Sequence, residues 1–152
     1  MDPMKLALEE ARKALDEGEI PVGAVLVREN EILWTDHNRR EQSGDPTAHA
    51  ELLCLRHGAE AAGNWRLNDC TLYVTLEPCP MCAGAMVMSR LGKCVYGTAD
   101  PDRGCCGSIY DLPADPALPS CTEWQSGVME EECRALLTEF FQKKRVPSSE
   151  NP

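Results

Sequence analysis

Thr71-Leu72-Tyr73-Val74-Thr75-Leu76-Glu77-Pro78-Cys79-Pro80-Met81-Cys82 decides the fold. Its first six residues are β-branched, aromatic or leucine and read as a strand. The Glu-Pro-Cys-Pro that follows stops the strand and opens a helix, because proline is tolerated in a helix's first turn. That helix runs to about Arg90, and Lys93 to Gly97 is the next strand. A strand, a helix and a strand in that order form a parallel pair joined by a right-handed crossover. Upstream, Val22 to Val27 and Ile32 to Thr35 flank the polar turn Glu29-Asn30-Glu31 and read as a hairpin. Asn38 to Pro46, rich in charge, Gly and Pro, is a loop, and Thr47 is placed to cap a helix to about Ala62. At the start, Asp2 caps a helix with Pro3 in its first position; Met4, Ala7, Leu8, Ala11, Ala14 and Leu15 recur at helical spacing, and Gly18 ends it. At the other end, Cys121 to Gln125 is a short last strand and Val128 to Lys144 an amphipathic helix. The order helix, strand, strand, helix, strand, helix, strand, strand, helix predicts a layered α/β domain over residues 1–146, with 147–152 as a disordered tail.

A chain of 152 residues is the length of one ordinary domain. No apolar run approaches the ~20 residues needed to span a bilayer, and Met1-Asp2-Pro3-Met4-Lys5 lacks the basic and apolar regions of a signal peptide, so the expected location is cytoplasmic, away from any membrane. Nine cysteines, an odd number without the spacing of a secreted scaffold, are expected to be mostly small buried apolar residues in a reducing compartment. The formal net charge of -10 opposes indiscriminate binding to polyanions and leaves room only for a local basic groove.

Chemistry concentrates in three residues. His49, Cys79 and Cys82 offer one imidazole and two thiols, ligands that Zn²⁺ prefers, with a fourth position left for water, as in a catalytic rather than a structural site. Glu51 is then a proton carrier beside the site and not a ligand. Residues two apart on a regular helix point roughly opposite ways, so His49 and Glu51 face one centre only if it lies at the helix start. Cys79 and Cys82, three apart at a helix N-terminus, share a face whose dipole favours thiolates. Two plainer readings compete. A structural zinc completed by Cys54, His57 or Cys70 gives Glu51 no role, and a redox C-x-x-C of thioredoxin type gives none to His49.

H-x-E followed by P-C-x-x-C is the signature of zinc-dependent nucleobase deaminases. With Val22-Gly23-Ala24-Val25, Asn38, Pro46 to Glu51, Trp65-Arg66-Leu67, Leu72 to Cys79, Met81 to Ala85, Gly107-Ser108 and Phe140-Phe141, the chain resembles the bacterial tRNA-specific adenosine deaminases of the cytidine-deaminase-like superfamily. The resemblance implies a three-layer fold with a five-stranded mixed sheet between helices, Zn²⁺ at the N-termini of two central helices, a homodimer, and conversion of adenosine to inosine at the wobble position of a tRNA anticodon stem-loop. It also implies that Asn38 hydrogen-bonds the purine and that Asp100 and Arg103 lie beside the target nucleotide. Backbone N–H groups near Ala50 and Cys79 are expected to hold the ring. Pro119-Ser120 stands where the family commonly has an Asn-His pair. Rival readings are a deaminase of a free nucleobase or nucleoside, of guanine or cytosine type, and a non-catalytic zinc-stabilised interaction domain. Asn38 taken alone reads first as a turn former, an order that the resemblance reverses; Trp65, Trp124, Phe140 and Phe141 read as packing, and Cys105 and Cys106 have no assigned role.

Overall fold

The computed structural model describes residues 1–145; the tail expected at 147–152 lies outside them. Strands β1 (Gly23–Arg28), β2 (Glu31–His37), β3 (Cys70–Leu76), β4 (Lys93–Thr98) and β5 (Glu123–Gln125) form one sheet in the order β2-β1-β3-β4-β5. β1 pairs antiparallel with β2 and β3, whereas β3, β4 and β5 run parallel. The mixed sheet, the hairpin and the parallel β3–β4 pair all match the reading of the sequence.

Side chains alternate across each strand with period two, which gives the sheet two buried faces. Ala24, Leu26, Leu72, Val74, Cys94 and Tyr96 pack with Ala50 and Cys54 of α3 (Ala50–Ala62) and with Ala83 and Met86 of α4 (Pro80–Met88). Val25, Val27 and Val95 face the other way and meet Met4 and Ala7 of α1 (Pro3–Asp16) and Cys133 of α5 (Glu130–Arg145). Helices thus cover both faces, the three layers that the resemblance implied. At Gly23, α1 packs directly onto sheet backbone: a Cβ there would lie 2.0 Å from the Ala7 carbonyl oxygen and 2.5 Å from the Ala11 nitrogen.

Several local expectations need correction. Thr47 does not cap α3, because its hydroxyl and N–H both go to Asp45 Oδ1, at 2.7 and 2.8 Å; His49 occupies the cap position, and the helix starts at Ala50. The stretch read as a loop contains one helical turn, α2 (Arg40–Ser43). Trp124 is a packing residue, 5.9 Å from Tyr96 with its indole N–H on Asp111, and Phe140 is buried. Trp65 and Phe141, expected to pack, are 53% and 46% exposed, although Phe141 still meets Phe140 edge-on at 5.2 Å. The Trp65 ring instead carries the Arg66 guanidinium at 4.5 Å.

Candidate active site

A cleft opens where β2, β3 and β4 end and β1 begins, a usual place for ligands in an open α/β sheet. Its walls are Ile20 and Val22 before β1, Asn38 and Arg40 after β2, His49, Ala50 and Glu51 at the start of α3, Leu76, Glu77 and Cys79 between β3 and α4, and Asp100 and Arg103 beyond β4.

Two helix starts bring the metal-ligating residue types together. His49 has extended backbone ahead of α3, and Cys79 has extended backbone ahead of α4, with Cys82 in that helix's first turn. Because His49 is not itself helical, its ring and the Glu51 side chain are free of the angular conflict that a regular helix would impose. His49 Nδ1 lies 3.6 Å from Cys79 Sγ and 3.5 Å from Cys82 Sγ. Tetrahedral zinc, with Zn–N of about 2.0–2.1 Å and Zn–S of about 2.3 Å, sets nitrogen and sulfur about 3.6 Å apart. The donor set and its spacing therefore fit that ion.

The candidates for a closing fourth ligand are elsewhere. Cys54 donates its thiol to the Ala24 carbonyl, Cys70 lies at the start of β3 with its thiol on Asp69, and His57 stacks on Trp34 at 4.6 Å. Among the described residues the group of donors at this site is His49, Cys79 and Cys82 alone.

Electrostatics tie the three donors to Glu51. A hydrogen bond from the Cys82 thiol, helped by His49, holds the Cys79 thiol down to about 4, so it is a thiolate at neutral pH. The same bond and burial push Cys82 up. The bond to Cys79 raises His49 against the opposing effect of burial. Glu51 is only 4% exposed, and burial, reinforced by the Cys79 thiolate, lifts its carboxyl to about 7. A carboxyl of that strength both takes and returns a proton near neutral pH.

The expected substrate contacts line the cleft, two of them, Asn38 and Asp100, with side-chain polar atoms already engaged. Asn38 donates its amide to the Ile20 carbonyl at 3.2 Å and accepts from Arg40 N–H at 3.1 Å, so it forms the turn as well as the wall. Ala50 is fully buried at the first position of α3, where a helix N–H has no acceptor within the helix. Asp100 accepts the N–H groups of Asp102 and Arg103. The sequence reading gives no site role to Arg40, Ile20 or Glu77. The signal for Glu77 was a carboxylate two residues before Cys79 of the candidate donor set.

The profile of the cytidine and deoxycytidylate deaminase zinc-binding region matches residues 2–98, and the chain belongs to that family of zinc-binding deaminases. A tRNA-specific adenosine deaminase of Bacillus subtilis is 49% identical over 142 residues, 93% of this chain and 88% of the relative. One from Haemophilus influenzae is 48% identical over 93% of this chain and 83% of its own. A solved tRNA:A34 deaminase, from work on A-to-I editing at the wobble position, superposes with a TM-score of 0.86 at 40% identity, covering 89% of this chain and 98% of the other. Within the zinc-binding deaminases, then, the chain belongs to the tRNA-specific adenosine deaminases. Guanine deaminase from Bacillus subtilis is similar over less of the molecule, with a TM-score of 0.63 and 36% identity across 67% of this chain.

Proposed function

We propose that this protein is a zinc-dependent hydrolase that converts adenosine to inosine at the wobble position of a tRNA anticodon stem-loop, with residues 1–146 acting as one deaminase domain. The observation that carries this reading is the His49, Cys79 and Cys82 triangle at zinc spacing, with the buried carboxyl of Glu51 beside it.

In this reading His49 Nδ1, Cys79 Sγ and Cys82 Sγ hold the ion. When bound, zinc lowers the pKa of a coordinated water to about 7 and so supplies the nucleophile for attack at C6. Glu51 takes the proton of the attacking water and delivers it to ring N1, then takes the remaining proton from the hydroxyl added at C6 and carries it to the amine nitrogen, so that the C6–N bond breaks, ammonia leaves and the C6 carbonyl of inosine forms. Its burial keeps bulk water from levelling these transfers. Asn38 and the backbone near Ala50 orient the ring, and Asp100 and Arg103 bound the nucleotide. An unpaired anticodon base is splayed into such a cleft at small energetic expense.

Arg40 and Arg103 are the cations of a cleft that also holds Glu51, Glu77 and Asp100, in a chain of net charge -10; if these two arginines meet phosphates, affinity for the stem-loop should fall with added salt as they displace counterions. No helix among the described residues is long and apolar enough to cross a membrane, and a cytoplasmic location is part of this proposal. The exposed Trp65, Met88 and Tyr110 supply apolar surface for a second copy, in keeping with a homodimer. The deciding experiment assays ammonia release from an anticodon stem-loop bearing a wobble adenosine beside free guanine, cytidine and adenosine. Turnover of the stem-loop with inosine as product is expected. Turnover of free guanine or cytidine in its place would move the protein to the nucleobase or nucleoside deaminases.

A further inference from the structure

We propose that Glu77 is a positioning residue that clasps the loop 99–108 and thereby fixes Asp100 and Arg103 at the wall of the cleft. Its side chain is 1% exposed and sits at the end of β3, two residues before Cys79. Burying a carboxylate is costly by several kcal/mol unless its oxygens are fully bonded. Here both oxygens are bonded twice, and every donor is a neutral group of one loop. Oε1 accepts the Asp100 N–H at 3.0 Å and the Ser108 hydroxyl; Oε2 accepts the N–H groups of Cys106 and Ser108, each at 3.0 Å.

The donors come from both ends of the loop, so a single side chain closes it. The hold passes onward, because the carboxylate of Asp100 accepts the N–H groups of Asp102 and Arg103, and the Asp100 carbonyl accepts the Gly104 N–H at 2.8 Å. Gly104 lies flat against the carboxylate: a Cβ there would stand 2.2 to 2.4 Å from Cδ, Oε1 and Oε2. With its acceptor sites filled, Glu77 has nothing left to offer a substrate although it lines the cleft. It acts through the loop.

Glu77→Gln keeps the shape and removes an acceptor. Whichever way the amide turns, its NH₂ faces either the Asp100 N–H or the N–H groups of Cys106 and Ser108, and backbone bonds are lost. Gly104→Ala perturbs the same clasp from the other side: it displaces the carboxylate while keeping its charge and both acceptor oxygens. In both variants, hydrogen exchange at the amides of Asp100, Cys106 and Ser108 should accelerate at least ~10-fold, with exchange in α3 and α4 unchanged. On the anticodon stem-loop, KM should rise roughly 10-fold with kcat within about 3-fold and one zinc retained per chain, the pattern of lost binding with intact chemistry. In an Asp100→Ala/Arg103→Ala background, adding Glu77→Gln should raise KM little further, since residues acting as one unit are not additive. The substrate in this test rests on the function proposed above; the exchange measurement does not, so a wild type inactive on the stem-loop would leave the clasp separately testable. Unchanged exchange, a KM effect that multiplies undiminished in the double-variant background, or loss of zinc or of the fold in both variants would overturn the proposal.

Discussion

Replacing Glu51 by glutamine separates proton transfer from metal binding. The amide is isosteric, and the three donors keep their mutual spacing of 3.5 to 3.6 Å from the imidazole, so zinc content should stay at one per chain. General acid–base catalysis by a positioned side chain contributes about 10²–10⁴-fold, equivalent to roughly 3–5 kcal/mol of barrier, and turnover of the stem-loop should fall by that factor. Stability should move the other way. Burial raises the Glu51 carboxyl from 4.5 to about 7 in the metal-free protein. A raised acid disfavours the fold once the pH exceeds its unfolded value, and at about 1.4 kcal/mol per unit the ionised form costs on the order of 3 kcal/mol well above neutrality. The metal-free Glu51→Gln variant should therefore melt above the metal-free wild type at pH 8, with the gap closing toward pH 4, where the carboxyl is protonated folded and unfolded alike. Inosine formation by quenched-flow or discontinuous assay, metal analysis and melting curves at the two pH values provide the readouts. A fully zinc-loaded variant with turnover within a factor of about ten of wild type would refute the shuttle.

Other consequences are more local. Gly23→Ala should destabilise by about 1–3 kcal/mol or more, since its Cβ would meet the backbone of α1 at Ala7 and Ala11 and neither atom can rotate away; denaturant unfolding checks this. Acid should weaken the fold through the cluster around His37, whose ring bonds Glu10 at 2.7 Å and Glu17 at 2.8 Å. Burial raises Glu10 and Asp36, but bonds from His37 and Lys13 to the one and from Trp34 and Arg39 to the other outweigh it, and Gln42 and His37 lower Glu17. All three carboxyls thus hold protons less tightly folded than unfolded, and their contribution is present above about pH 4.5 and lost as the pH falls further. The slope of stability against pH over that range should be shallower in His37→Gln.

The architecture was legible because its signals are local. Strand residues Leu72 to Leu76 alternate between buried faces, Asp2 and Pro3 start α1 where they were expected to, and the C-x-x-C spacing places two thiols on one helix start. Errors arose where a polar side chain chose a partner that propensity does not specify. Thr47 is a good cap in isolation, but Asp45 takes its hydroxyl and N–H, and the helix begins three residues later with His49 in the cap position. That shift also removes the angular difficulty of fitting His49 and Glu51 around one centre. Glu77 was hidden for a different reason: apart from the Ser108 hydroxyl its partners are backbone N–H groups, which every residue type carries, so the sequence marks the carboxylate and not its donors. The His37 cluster joins residues 20 and 27 positions apart across α1 and β2, a pairing that only the tertiary packing reveals.

Zinc K-edge absorption on the loaded protein addresses the central claim most directly. Two sulfurs at about 2.3 Å and two nitrogen or oxygen scatterers at about 2.0–2.1 Å, one of them exchangeable with solvent, are the expected shell of His49, Cys79, Cys82 and a water. A third sulfur or a second imidazole would mean a closed structural site and would contradict the assignment of this cleft to catalysis.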